Sequence, residues 1–548
     1  MPRIGEASGP RTPWSLIIFG AMVAVLTVVW LVQLWRPMPF FADQALLEIA
    51  TRDSLQLQQA VGAHSRLGGF HPGPAYTYLL APLYWLTGEA PRSLLLGTFL
   101  INAGCLFAAV VLVRARLGEA VARWAAAAAA LYLVMLGVAN TWWLWNPNVL
   151  GPALVLTVLL VADCTRGRIG PLIWATVTGS FLVQAHVVMA VPVAGLLIVA
   201  AAAFTVAALA RRRGREPASG PAPDSGPEPV AGSRGLRLLA VGVGAMVLVI
   251  FWLPPLLEEL RSGQGGGNLT HLFSLATGQT PPPASWVPSH TVRESLGAVL
   301  RMLPVTITGQ DDLPSAIVDL SGQPLPLLRL IASALLLALA VTVAVLGFRR
   351  RRWFIAVASL GTLLTAATAV LLETQTAGPL LQYAITWAVA IPIPTLMVAA
   401  GLLPARVRES GTFALTGTAA ALIAAASFTV AATRASPGTV NTQPVTLLEQ
   451  LQKANLAEPV NLSTRGQAWP VRAAIVNLAD KAGYPVRAAG NPPQFPTRLW
   501  GNGAGSQVLI LPRTGPESTP PPGARRLGQT ATYSLWLLDS VSAPPAGQ

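Results

Sequence analysis

Apolar runs of roughly 20 residues recur along the chain, separated by short polar segments in which arginine collects. A helix of about 20 apolar residues is long enough to cross a hydrocarbon core roughly 30 Å thick. The pattern therefore predicts about eleven transmembrane helices. The first covers 14–35 and the second 93–113. The third ends in NTWWLWNPN at 140–148, and the fourth returns to 165–168. The fifth begins near Pro171 and the sixth reaches Arg211–Arg213. The seventh covers 236–257, the eighth ends at Arg349–Arg352 and the ninth at Glu373. The tenth precedes Arg406, and the eleventh covers 412–432.

The polar intervals have characters of their own. Residues 36–92 form the first external loop. Within it, 43–59 places Leu46, Leu47, Ile49, Ala50 and Leu57 at roughly helical spacing, which predicts a helix lying on the membrane surface. Residues 211–235 are rich in Pro, Gly and Ser and read as a disordered cytoplasmic loop, while 258–323 reads as a long external loop. The membrane region spans 1–433. From 434 to 548 the pattern becomes that of a small soluble α/β domain, with helices predicted at 445–455 and 471–482 and strands at 459–462, 507–511 and 532–538.

Composition sharpens this picture. Hydrophobic residues make up 53% of the 548 and charged residues only 11%, against about 25% in an average soluble domain. The net charge of +14 does not point to nucleic acid, because the arginines fall in short loops rather than on a basic face interleaved with aromatics. With Arg3 and Arg11 cytoplasmic, eleven spans put every arginine-rich short loop on one side and the C-terminal domain outside the cytoplasm. The first apolar run is longer than a signal h-region and reads as a retained span. Cys105 and Cys164 lie in or beside spans, so a disulfide framework is not expected. The fold class is thus mainly α: a polytopic protein of the plasma membrane with a small extracytoplasmic α/β domain.

This topology gathers polar residues at the outer ends of the spans. They include Asp43, Asp53, His64, Arg66, His71, Asn146, Gln184, His186, Glu258, Glu259, Glu373, Gln375, Gln382 and Tyr383. Polar groups at membrane depth are costly and line cavities or pair with one another. The segment between the third and fourth spans contains no acidic residue, and neither metal nor cofactor is expected. Each residue also has a plainer reading. Asp43 could simply cap the surface helix, since Asp favours N-terminal positions. Asp53 reads as a solvated helix-face residue, and His71 could serve a turn. Trp142, Trp143 and Trp145 suit interfacial anchors, and Asn146 could belong only to a turn. Gln184 and His186, two apart, cannot share a helical face, so one of them is expected to satisfy neighbouring helices.

One span, then a loop opening on an acid, Asp43, then His71-Pro72-Gly73-Pro74 followed by Tyr76 and Tyr78: in this order the chain resembles the GT-C superfamily of integral membrane glycosyltransferases. The likeness is to the branch of protein O-mannosyltransferases and aminoarabinose transferases, and it rests on about the first 210 residues. It implies an inverting transfer of a sugar from a polyprenyl-phosphate donor to a glycan, glycolipid or protein acceptor, in contact with membrane lipid. By resemblance Asp43 would be the general base. Candidates for binding the donor's phosphate or sugar are His64, Arg66, His71, Asp53, Tyr76, Trp145, Asn146, His186 and Gln382, with Arg261 and His271 as weaker ones. Many relatives carry Asp-Glu where this chain has Asp43-Gln44. A lipid-linked-sugar flippase and a non-catalytic scaffold are the alternatives.

Overall fold

A computed structural model describes residues 12–66, 68–213, 234–281, 289–305, 318–434, 441–490, 492–501 and 504–538. The loop expected at 211–235 lies almost wholly outside them. The chain divides into two compact units, one of Met1–Leu31 with Thr98–Ala435, the other of Val32–Gly97 with Ser436–Gln548.

The helices of the amino-terminal quarter are α1 (Trp14–Val32), α2 (Ala42–Leu55), α3 (Ala75–Leu86) and α4 (Pro91–Leu117). Among the described residues ten helices are long and apolar enough to cross a membrane, α1 and α4 included, and Ile169–Ala185 is a shorter apolar helix between two of them. With that helix counted, the eleven elements follow the order read from the apolar runs.

In the first unit, part-buried ion pairs hold the arginine-rich ends of the spans together. Glu119 accepts from the Ser15 amide at 2.8 Å, from Arg114 Nε at 2.8 Å and from Arg123 Nε at 3.2 Å. Asp163 pairs with Arg116 at 2.8 Å. Arginines that orient a chain in the bilayer thus also tie its helices together. Aromatic pairs lock the first span in place: Trp30 meets Trp142 edge-on at 4.9 Å, and Phe19 lies 6.4 Å from Phe107.

The second unit joins two stretches of sequence far apart. Its tail part is a five-stranded sheet in the order β2-β1-β3-β5-β4, with β1 Val460–Thr464, β2 Val486–Ala488, β3 Ser506–Pro512, β4 Arg525–Gln529 and β5 Tyr533–Leu538. β1 pairs in parallel with β2 and β3, while β5 runs antiparallel to β3 and β4. The expected strands at 459–462, 507–511 and 532–538 are β1, β3 and β5, and the expected helices are Gln443–Lys453 and Trp469–Lys481. β2 and β4 were not foreseen: one is three residues long, and the other, RRLGQ, has little apolar alternation.

The surface-helix expectation for 43–59 is corrected. In α2 the charged side is buried, with Glu48 2% and Asp53 3% exposed, because it packs on the Trp469–Lys481 helix. The exposed apolar stripe lies on α3 instead. Leu79, Trp85 and Leu86 are open there while Tyr76, Leu80 and Tyr84 are buried. Hydropathy spacing alone reads an amphipathic helix with its polar side in water; here another charged helix replaces the water.

Candidate functional site

Between α2 and α3 the chain turns back on itself. His64 and Phe70 form an isolated antiparallel bridge, with Ser65 N donating to Gly69 O at 2.9 Å and His71 N to Ala63 O at 2.8 Å. Gly68 and Gly69 close the turn with φ of 83° and 69°, the left-handed region that favours glycine. Gly62 packs so closely on the far strand that a Cβ there would lie 2.8 Å from Gly73 O and 2.9 Å from His71 Cβ. Residues 62–66 and 68–74 therefore make one local structure that carries His64, Arg66 and His71.

His64 stacks edge-on with Phe70 at 5.5 Å, and burial pushes its pKa below the ordinary histidine value. Burial thus disfavours the charged imidazole in a turn that also carries Arg66. His71 and Tyr76 are buried. Pro74 stands immediately before α3, where its ring fits a helix start, and its carbonyl accepts from Thr77 Oγ1 at 3.0 Å. Ser54 Oγ of α2 donates to Thr77 Oγ1 at 2.9 Å, so the end of α2 is tied to the start of α3.

Asp43 lies in the first turn of α2 and is half-buried. The N-cap is Phe41, so Asp43 is not the capping residue. Ala42, next to it, has φ 48°, a conformation costly for a residue with a Cβ. The strain sits at the residue that sets where α2 begins.

Five residues on, at Glu48, α2 enters a buried charge network. Three carboxylates (Glu48, Asp53, Asp480) meet three cations (Arg52, Lys481, Arg498). Arg52 Nη2 donates to Asp480 Oδ2 and to Asn477 Oδ1, both at 2.8 Å. Asn477 Nδ2 donates to Glu48 Oε2 at 2.6 Å, and Tyr84 OH to Glu48 Oε1 at 2.7 Å. Arg498 bridges Asp53, at 2.6 Å, to Asp480. Lys481 reaches Glu48, the Tyr84 hydroxyl and the Glu89 carbonyl. Asn477, Asp480 and Lys481 share one face of their helix by i, i+3, i+4 spacing. The solvated reading of Asp53 is thereby corrected: it is an internal ion-pair partner.

The network has a definite pH sense. Burial alone would raise the Asp480 carboxyl, but hydrogen bonds from Arg498 and Arg52 prevail and hold it below the usual aspartate value. A carboxyl depressed in the folded state stabilises fully above its unfolded pKa, about 3.9, and loses that contribution as pH falls through the folded value. Burial pushes Asp53 up against the pull of Arg498, so its contribution changes above that window and with opposite sign. Acidification below about pH 4 is expected to loosen the Trp469–Lys481 helix from α2. Amide exchange of that helix, corrected for intrinsic rates, measures it, and protection unchanged to pH 3 would contradict it.

The remaining candidates belong to the first unit. Trp145 stacks on Tyr383 with ring centroids 4.6 Å apart, and Gln382 is half-buried at the start of the same short helix. Asn146 Nδ2 donates to Ala185 O at 2.8 Å, which pins the residue just before the break at His186. Gln184 Nε2 donates to Phe251 O at 2.9 Å; it satisfies the neighbouring helix, while His186 occupies the extended break in the chain. Glu258 and Glu259 accept amides of Gly267 to Thr270 and so cap the Asn268–Ala276 helix, which carries His271. Arg261 is exposed at the end of the preceding helix.

Sequence reading passed over Glu48, Arg52, Asn477, Asp480, Lys481 and Arg498. The i, i+4 pair Glu48–Arg52 and the polar face of 477–481 were the available signals. Neither says that the two faces meet across 428 residues of chain.

No family model and no curated protein matches this sequence. Among solved structures it is similar to ArnT from Cupriavidus metallidurans bound to undecaprenyl phosphate, at 14% identity and a TM-score of 0.51 over 96% of this chain and 99% of that one. The apo form of that protein matches with the same identity and TM-score over 98% of its length. The likeness establishes the fold: this chain shares that structure's architecture, many apolar helices with a small C-terminal sheet.

Proposed function

We propose that the protein is an inverting glycosyltransferase that moves a sugar from a polyprenyl-phosphate donor to an acceptor hydroxyl at the external face of the plasma membrane. The observation that carries this reading is the placement of Asp43 in the first turn of α2, tied through Ser54 and Thr77 to the helix that the His71-Pro72 run leads into. A fold shared end to end with a protein crystallised with undecaprenyl phosphate supports the donor class.

In this reading the acceptor oxygen bonds to the anomeric carbon as the bond from that carbon to the phosphate oxygen breaks. The acceptor's proton goes to the Asp43 carboxylate, and the electron pair leaves with the polyprenyl phosphate. Such a leaving group needs cationic or hydrogen-bonding partners. Arg66 supplies permanent charge, and His64 and His71 supply hydrogen bonds.

The test is transfer by purified protein in vesicles from a panel of polyprenyl-phosphate sugars to glycan, glycolipid and peptide acceptors. One donor is expected to be consumed with inversion at the anomeric carbon. Movement of intact lipid-linked sugar between leaflets without transfer would replace this reading with that of a flippase.

A further inference from the structure

The Trp469–Lys481 helix carries another arginine, in quite different surroundings. Arg472 lies in its first turn and is 8% exposed, as buried as Arg52. Arg52 has Glu48, Asn477 and Asp480 around it, whereas Arg472 has no carboxylate partner among the described residues. Its Nη1 reaches the Ala489 carbonyl at 3.5 Å, the outer limit of a hydrogen bond, and its Nε is buried with no partner. The Phe495 ring covers the guanidinium at 5.6 Å.

Place in the fold gives this meaning. The helix follows β1 and precedes β2, two parallel neighbours, so its first turn stands at their carboxyl ends. Ala489 directly follows β2 and donates to Leu462 O of β1 at 2.9 Å, which places the guanidinium at that edge. The positive end of the helix dipole faces the same way, and open α/β sheets hold ligands at this edge. The loop beside it is built: Trp500 Nε1 donates to Pro492 O at 3.1 Å and to Phe495 O at 2.9 Å, which holds Phe495 over the guanidinium. With Nη1 turned to Ala489 and a face covered by Phe495, the Nε–Nη2 edge is the fork left for a ligand.

We propose that Arg472 is the recognition group of an oxyanion site at the carboxyl ends of β1 and β2, which takes a carboxylate or phosphate ester through the Nε–Nη2 edge. A planar fork suits such groups, and a buried charge otherwise unpaired is costly to keep. Burial, which lowers the Arg472 pKa to about 10, leaves it charged at pH 7 and reports the same missing partner. The site stands independently of the transfer reaction.

The experiment is thermal unfolding of the purified full-length protein at constant ionic strength, titrated with inorganic phosphate, with glucuronate, or with glucose as the neutral control. The wild type is expected to rise saturably in Tm with one oxyanion and not with glucose; which of the two acts tells a phosphate ester from a carboxylate. Arg472→Met is expected to lose the response and, without anion, to melt no lower than wild type, since the methionine keeps the apolar stem and removes the unpaired charge. Arg472→Lys, which keeps the charge but not the fork, is expected to bind about tenfold more weakly. A wild type that responds to neither anion, an Arg472→Met protein that responds as well as wild type, or one that melts lower without anion would overturn the proposal.

Discussion

An Asp43→Asn protein is expected to fold and insert normally yet to transfer sugar about 10² to 10⁴ times more slowly, the usual worth of a positioned general base. The amide is nearly isosteric with the carboxylate but cannot accept the acceptor's proton. The loss should fall on kcat, because the proton moves in the transition state and not on binding. Asp43 is half-buried and is not the N-cap of α2, so the change should leave the helix in place. Its fold is checked by the protection of the Trp469–Lys481 helix, which reports on the opposite end of α2. Full activity in a well-folded variant would remove Asp43 as the base. Asp53, the other aspartate of α2, could not easily replace it, since Arg498 holds it in a buried pair.

Arg52→Met should have the largest effect on stability. Arg52 is buried and serves Glu48, Asn477 and Asp480 at once, and its loss leaves two carboxylates in the interior with less compensation. Removing one partner from a buried ion pair costs about 3–5 kcal/mol. The loss should appear in amide exchange of α2 and of the Trp469–Lys481 helix, and as new protease sensitivity in the tail. Arg52→Lys keeps the charge without the fork and should lie between the two. A cost under about 1 kcal/mol would mean that the network is as weak as a solvent-exposed pair. If the proposed function holds, Arg52→Met should also slow transfer, since it frees the helix that bears Asp43 without touching that residue.

How much of this was legible can be judged from particular residues. Arg114, Arg116 and Arg123 mark the ends of spans whose apolar lengths match a bilayer, and those spans are where the periodicity put them. Asp43 and the His71-Pro72-Gly73-Pro74 run were singled out as candidates by resemblance, from their order after the first span. The turn of Gly68 and Gly69 and the packing of Gly62 are local too, although their purpose was not read. β2 and β4 escaped because neither alternates enough to show without its neighbours.

The sequence by itself determined the apolar solvent of the chain, the order of its candidate membrane helices and the change of pattern at the tail. All of these depend on composition and on spacing within about one turn or one span, and lipid rewards them wherever they occur. Only the tertiary structure decided that the tail clamps α2, that Asp53 is internal while α3 carries the exposed apolar stripe, and that Arg472 is buried without a carboxylate. Charge is read locally, but its effect depends on what replaces water around it. For Arg52 and Asp480 that replacement comes from the other end of the chain, 428 residues away, where no periodicity reaches.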